Sequence, residues 1–225
     1  MKNKNYGIFN FQFLDNIIEK KRFEMLQILK KKILKISINS LLDVGTTEEN
    51  YLKSSNYFLK KLNYVKTKKS ISNQNIDKKK VNFFLNKSIS KKLLAKEIKI
   101  LESDLVISSA TIEHVGNFSN QIKMMKNITK LTKKFFFVTT PYRFYPIDFH
   151  TKIPLIHMLP KNIHRKILNL LNLKDYAKEE NLNLLDIKDV ELLIEKIKTN
   201  NFKISFFKIR LFGMISNLII YGERT

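Results

Sequence analysis

Two short, largely apolar runs most constrain the fold of this chain: Asp104-Leu105-Val106-Ile107-Ser108-Ser109 and Phe135-Phe136-Phe137-Val138-Thr139-Thr140. Each is too short for a core helix and has no polar face to offer to water, so each reads as a strand covered on both sides. Helical periodicity separates them at about 118–132, and Pro141 stops the second. Ile38-Asn39-Ser40-Leu41-Leu42-Asp43-Val44-Gly45 is a third such strand, ending in an acid and a glycine. Further strands are expected within 64–72 and around 81–86, and helices over 52–62 and 88–99. Strands alternating with helices in this way point to an α/β chain with a mostly parallel sheet between helical layers. The tail reads as a helix over 187–199 and then two strands, 202–209 and 215–222. Their short connection makes an antiparallel hairpin that closes one edge of the sheet.

Residues 14–36 form an amphipathic helix, with Leu14, Ile18, Met25, Leu29, Ile33 and Ile36 on one stripe. Such a stripe ordinarily covers a sheet. It could also lie on an anionic membrane surface, with Lys30-Lys31-Lys32 near the headgroups. At 225 residues the whole chain, 1–225, is expected to form one domain.

The net charge of +22 raises the question of nucleic acid. Of 42 basic residues, however, only five are arginine, the residue suited to planar, bidentate phosphate contacts. Lysine spread over solvated faces accounts for the charge, and nucleic acid is not expected as a partner. Cysteine is absent, which excludes disulfides and thiolate metal sites. With no apolar run of about 18 residues, a cytoplasmic location is expected.

Three segments carry candidate chemistry. In Asp43-Val44-Gly45-Thr46-Thr47-Glu48-Glu49, a strand ends in an acid and turns at glycine, which lets a ligand approach the backbone. About sixty residues later, the strand at 104–109 delivers Ser108 and Ser109 to its carboxyl end, ahead of Ile112-Glu113-His114-Val115. The third segment, 137–151, leaves the sheet with Pro141, Tyr142, Arg143, Phe144, Tyr145, Asp148 and His150, a suitable wall for a substrate pocket. His150, His157 and His164 lack ligand-like spacing and an obvious third ligand, so no metal is expected.

Together these segments resemble the class I S-adenosylmethionine (SAM)-dependent methyltransferases over roughly residues 38–223. Leu41–Gly45 resembles the first motif of that family, in a subgroup that reads Asp-Val-Gly-Thr-Thr. Asp104–Val115 is similar to its fourth-strand region, and Val138-Thr139-Thr140-Pro141 with Arg143 to its "TTPNR" segment, Tyr142 replacing asparagine. The resemblance implies a Rossmann-like three-layer sandwich whose mostly parallel seven-stranded sheet ends in an antiparallel C-terminal strand. It also implies SAM as cofactor, with Asp43, Gly45 and Thr46 bordering its methionine half and Ser108 and Ser109 beside it. Asn73 or Asp77 would hold its ribose. Thr47 and Glu49 stand where further glycines are usual. A small-molecule or saccharide acceptor is implied, with His150 as base and Asp148 or His114 behind it. An RNA acceptor, or a fold retained only for binding, are the alternatives.

Overall fold

The computed structural model describes residues 12–48, 54–76 and 81–225. The first helix, α1 (Gln12–Lys32), turns Met25, Leu26 and Leu29 inward, and Ile33 follows them just beyond its end. Strand β1 (Ser40–Val44) is followed by a short α2 (Tyr57–Lys61), β2 (Thr67–Ser72) and β3 (Phe83–Asn86). The next elements are α3 (Ala95–Leu101), β4 (Ser103–Ser109), α4 (Phe118–Leu131) and β5 (Thr132–Pro141). A long excursion holds α5 (Lys161–Leu170) and α6 (Lys174–Ala177), and α7 (Ile187–Ile197), β6 (Phe202–Leu211) and β7 (Met214–Arg224) complete the chain.

All seven strands join one sheet in the order β3-β2-β1-β4-β5-β7-β6. β1 to β5 run parallel, whereas β7 is antiparallel to both β5 and β6. Side chains alternate across the sheet with the strand period of two. Leu41, Leu105, Ile107, Phe135 and Phe137 pack with α1 and α2 on one face. Leu42, Val44, Val106, Phe136 and Val138 pack with α4 and α7 on the other. The three-layer α/β fold expected from the sequence is therefore the observed one.

The stripe on α1 is consumed by the sheet, since Met25, Leu26, Leu29 and Ile33 are all buried in the first of these layers. Lys32 lies over the rings of Phe207 and Tyr221, 4.8 and 4.6 Å from their centroids. Among the described residues no helix is long and apolar enough to cross a membrane. α3 begins later than its periodicity predicts. Asn127 Nδ2 donates to the carbonyls of Ile89 and Lys91, holding that segment in an irregular path.

Gly222 on β7 is required by packing. A Cβ there would overlap the ring of Phe136, which is fully buried at the centre of the second core layer. Gly222→Ala is expected to lower stability by about 1–3 kcal/mol through overpacking, read as a shift of the urea midpoint with an unchanged slope.

Candidate functional site

In an open α/β sheet, ligands bind beyond the carboxyl ends of the strands where the chain order reverses. Here that point lies between β1 and β4, and Asp43, Gly45, Thr46, Ser108 and Ser109 all gather there. Ser108 is spent on structure: its hydroxyl donates to the Val44 carbonyl at 2.9 Å and ties the two strand ends together. Ser109 Oγ accepts from the Thr139 hydroxyl at 3.3 Å. Gly45 has φ +90°, and a Cβ there would also collide with Thr111, so this position needs glycine on two counts.

Asp43 is a buried acid. Burial raises its carboxyl to about 6, against the pull of the Thr46 hydroxyl and of the Arg22 charge. The Thr46 hydroxyl donates to Asp43 Oδ2 at 2.5 Å and lies 2.5 Å from Ser70 Oγ. Arg22 reaches this edge from α1 and donates to the Ser54 carbonyl. Burial lowers its proton affinity, and Glu113 and Asp43 offset part of that effect. Arg22 is thus near enough for its charge to act on the Asp43 carboxyl.

Thr47 is clamped. Its backbone N–H and its hydroxyl donate to Asn56 Oδ1 at 2.9 and 3.3 Å, and Asn56 Nδ2 returns a hydrogen bond to its carbonyl at 2.7 Å. An asparagine bracket fixes the loop where glycines would leave it free. Of the ribose candidates, Asn73 is exposed just past β2, and Asp77 lies outside the described residues, as does Glu49.

The three residues expected to handle protons form one cluster at the ends of β4 and β5. Asp148 Oδ1 accepts from the backbone N–H and from Nδ1 of His150, at 3.0 and 2.9 Å. Its Oδ2 accepts from the backbone and hydroxyl of Thr151. Burial alone would raise the Asp148 carboxyl, but these donors hold it well below the usual carboxylate range. His114 Nδ1 faces the Asn181 carbonyl at 2.6 Å and so must carry a proton, while its Nε2 lies 3.1 Å from His150 Nε2. Both Nδ1 atoms are therefore protonated, and one further proton lies between the two Nε2 atoms. The pair carries a single positive charge. Burial works against that charge on His150, but Asp148 and Glu113 lift its imidazole to about 10. Desolvation and the neighbouring His150 push His114 down.

Sequence reasoning missed two members of this edge. Glu113 was visible only as a neighbour of His114, yet it is fully buried and accepts from Thr140 at 3.0 Å. Arg22 had one signal, an arginine on a helix otherwise rich in lysine. The loop beyond β5 also forms a small, shallow pocket lined by Arg143, His157, Lys161, His164 and Arg165, among others. Its cations are already engaged: Arg143 with the His157 and Leu159 carbonyls, Lys161 with Asn183, and Arg165 with Glu179.

The raised Asp43 makes a stability prediction. Its pKa is 3.8 in the ordinary state and about 6 when folded. The neutral acid is therefore the form the fold prefers, and stability is greatest below pH 4 and falls as pH rises to 6. Two units of elevation correspond to on the order of 3 kcal/mol. At pH 7, Asp43→Asn should be the more stable protein by on the order of 1–3 kcal/mol, and the difference should close towards pH 4. Chemical denaturation at the two pH values checks this, and a pH-independent difference would contradict it.

No protein-family model matches the sequence, and no curated protein matches it. Solved structures do resemble the fold. Magnesium protoporphyrin IX methyltransferase from Synechocystis PCC 6803, with bound S-adenosylhomocysteine (SAH), is 10% identical; the match covers 98% of this chain and 91% of that one, with a TM-score of 0.54. A 1,6-didemethyltoxoflavin-N1-methyltransferase from Burkholderia thailandensis, also with SAH, is 10% identical over 92% of this chain and 79% of that one, TM-score 0.57. A Rhodobacter sphaeroides chain assigned to the zinc-dependent alcohol dehydrogenases is 10% identical over 89% and 88%, TM-score 0.59. Such identities speak for the fold alone. Strand order separates the two kinds: the dinucleotide-binding fold runs 3-2-1-4-5-6, whereas this sheet inserts an antiparallel β7 between β5 and β6. The chain has the Rossmann-like fold of the class I SAM-dependent methyltransferases.

Proposed function

We propose that this protein is a SAM-dependent methyltransferase acting on a small-molecule or saccharide acceptor. The observation that carries the proposal is the buried Asp43 beside a left-handed Gly45 at the β1–β4 edge, with the Arg22 charge near enough to act on its carboxyl. The residues present fit the cofactor: Arg22 suits its carboxylate, Asp43 its ammonium group, and Gly45 lets it approach the backbone closely. The similar fold of the Synechocystis magnesium protoporphyrin IX methyltransferase is known with SAM and with SAH bound, which is in keeping with this reading.

When bound, SAM supplies an electrophilic methyl group on a sulfonium centre. What the chain must add is alignment of the acceptor and a destination for its proton. Asp148, His150 and His114 provide that destination. Taking an acceptor's proton on His114 Nε2 would leave the shared proton wholly on His150 and break the Nε2–Nε2 hydrogen bond, with Glu113 and Asp148 offsetting the second positive charge. His114, the ring that solvent reaches, stands nearer an incoming acceptor than His150, which is sealed behind it.

Thermal unfolding with and without cofactor tests the proposal. At about 100 times its dissociation constant, SAM or SAH should add about 2.7 kcal/mol of stability, and Arg22→Ala should weaken binding about tenfold or more, in line with loss of a charged hydrogen bond. No shift at millimolar SAM would refute the reading and leave a fold kept for binding something else.

A further inference from the structure

Glu113, His114 and His150 leave the sheet at two different strand ends, yet each directs one atom at a common spot. His114 Nε2 and His150 Nε2 are 3.1 Å apart, and Glu113 Oε1 lies 3.6 Å from the latter and 4.0 Å from the former. A point equidistant from these three atoms falls about 2.1 Å from each, the bond length of a first-row metal to imidazole nitrogen or carboxylate oxygen. Glu113 Oε1 is buried and has no hydrogen-bond partner; it meets the shared positive charge only as an ion pair at 3.6 Å, where a cation at that point would bond it directly.

The far side of every one of these side chains is held as well. His150 Nδ1 donates to Asp148, His114 Nδ1 donates to the Asn181 carbonyl, and Glu113 Oε2 accepts from Thr140. Metal ligands are characteristically oriented by such outer partners, which fix the tautomer and aim the free nitrogen. We propose that Glu113, His114 and His150 bind one divalent first-row transition cation, which takes the place of the proton shared by the two imidazoles. Two imidazoles and one carboxylate select a borderline cation such as Zn²⁺ or Fe²⁺ over Mg²⁺ or Ca²⁺, which favour all-oxygen sites. Three protein ligands leave coordination positions open on the side of His114 that solvent reaches. Those positions suit an acceptor oxygen, which the cation would acidify so that its proton leaves to solvent on the open side and not to a histidine base. That last role rests on the proposed methyl transfer; the binding of the metal does not.

The test uses the full chain, stripped with EDTA and titrated with Co²⁺ and with Zn²⁺ in the absence of SAM. Elemental analysis should find one metal per chain, and Co²⁺ should show visible absorption that Zn²⁺ abolishes and excess Mg²⁺ does not. The chain has four histidines and no cysteine, so replacing the other two, as His157→Ala with His164→Ala, is a complete control and should leave the Co²⁺ spectrum intact. His114→Gln, at the most exposed of the three ligands, should weaken binding at least about a hundredfold with unchanged circular dichroism, and Glu113→Gln should do the same. No saturable binding by the stripped wild-type chain at micromolar metal would overturn the proposal, as would wild-type affinity in His114→Gln. SAM binding measured in EDTA reports on the proposed activity alone, so the two readings can fail separately.

Discussion

Burying an acid at the end of β1 is the constraint around which the carboxyl edge of this protein is arranged. Asp43 lies at 6% exposure in the middle of the sheet, where water cannot solvate a charge. The fold answers with the Thr46 hydroxyl, supported in turn by Ser70 from β2, and with the Arg22 guanidinium brought across from α1. Each of these comes from a different element, so β2, the turn after β1 and the first helix are all positioned by the same group. Even with this support the carboxyl stays at about 6, and the site is kept at some cost in stability. Groups held under such tension are expected where a ligand will supply what the protein alone does not.

A second centre of charge lies a few residues away at the ends of β4 and β5. Two buried carboxylates, Glu113 and Asp148, face two imidazoles that share a proton. Its stiffness comes from the excursion between β5 and α7. The Asn181 carbonyl fixes the His114 ring, Asn183 bonds to the Glu113 and Gly116 carbonyls, and Gln121 on α4 donates to the carbonyls of Ile112 and Asn183. Asp15 on α1 reaches Lys152 of the same excursion at 3.8 Å. The helix that carries Arg22 is thereby linked to the loop that carries His150, and both charge centres open onto one edge.

Much of the framework was legible in the sequence because largely apolar runs such as Val106–Ser108 and Phe135–Val138 admit only a buried strand. The hairpin of β6 and β7 was legible for a related reason, its short turn at Phe212 and Gly213. α5 was not, because its apolar stripe faces outward: Ile163 and Leu170 are exposed, while the buried face is carried by His164 and Leu168. At the site, Asp43 and Gly45 were readable as a strand-end turn. Arg22 and Glu113 were not, because their roles depend on contacts across more than twenty residues of sequence. Thr47 stands in the sequence where a glycine is usual; the Asn56 bracket, nine residues on, gives its side chain a partner. The metal question turned on the same limitation. Spacing among His150, His157 and His164 offered no ligand set, whereas the sheet brings His114, thirty-six residues before His150, to within hydrogen-bonding distance of it.

The central claim is that the β1–β4 edge holds an amino-acid-like cofactor between Arg22 and Asp43. A crystal structure of the chain grown with SAH tests it most directly. The account predicts ordered SAH density over Gly45, its amino-acid end between the Arg22 guanidinium and the Asp43 carboxyl. An edge that stays empty at saturating SAH, or SAH bound elsewhere on the chain, would contradict it.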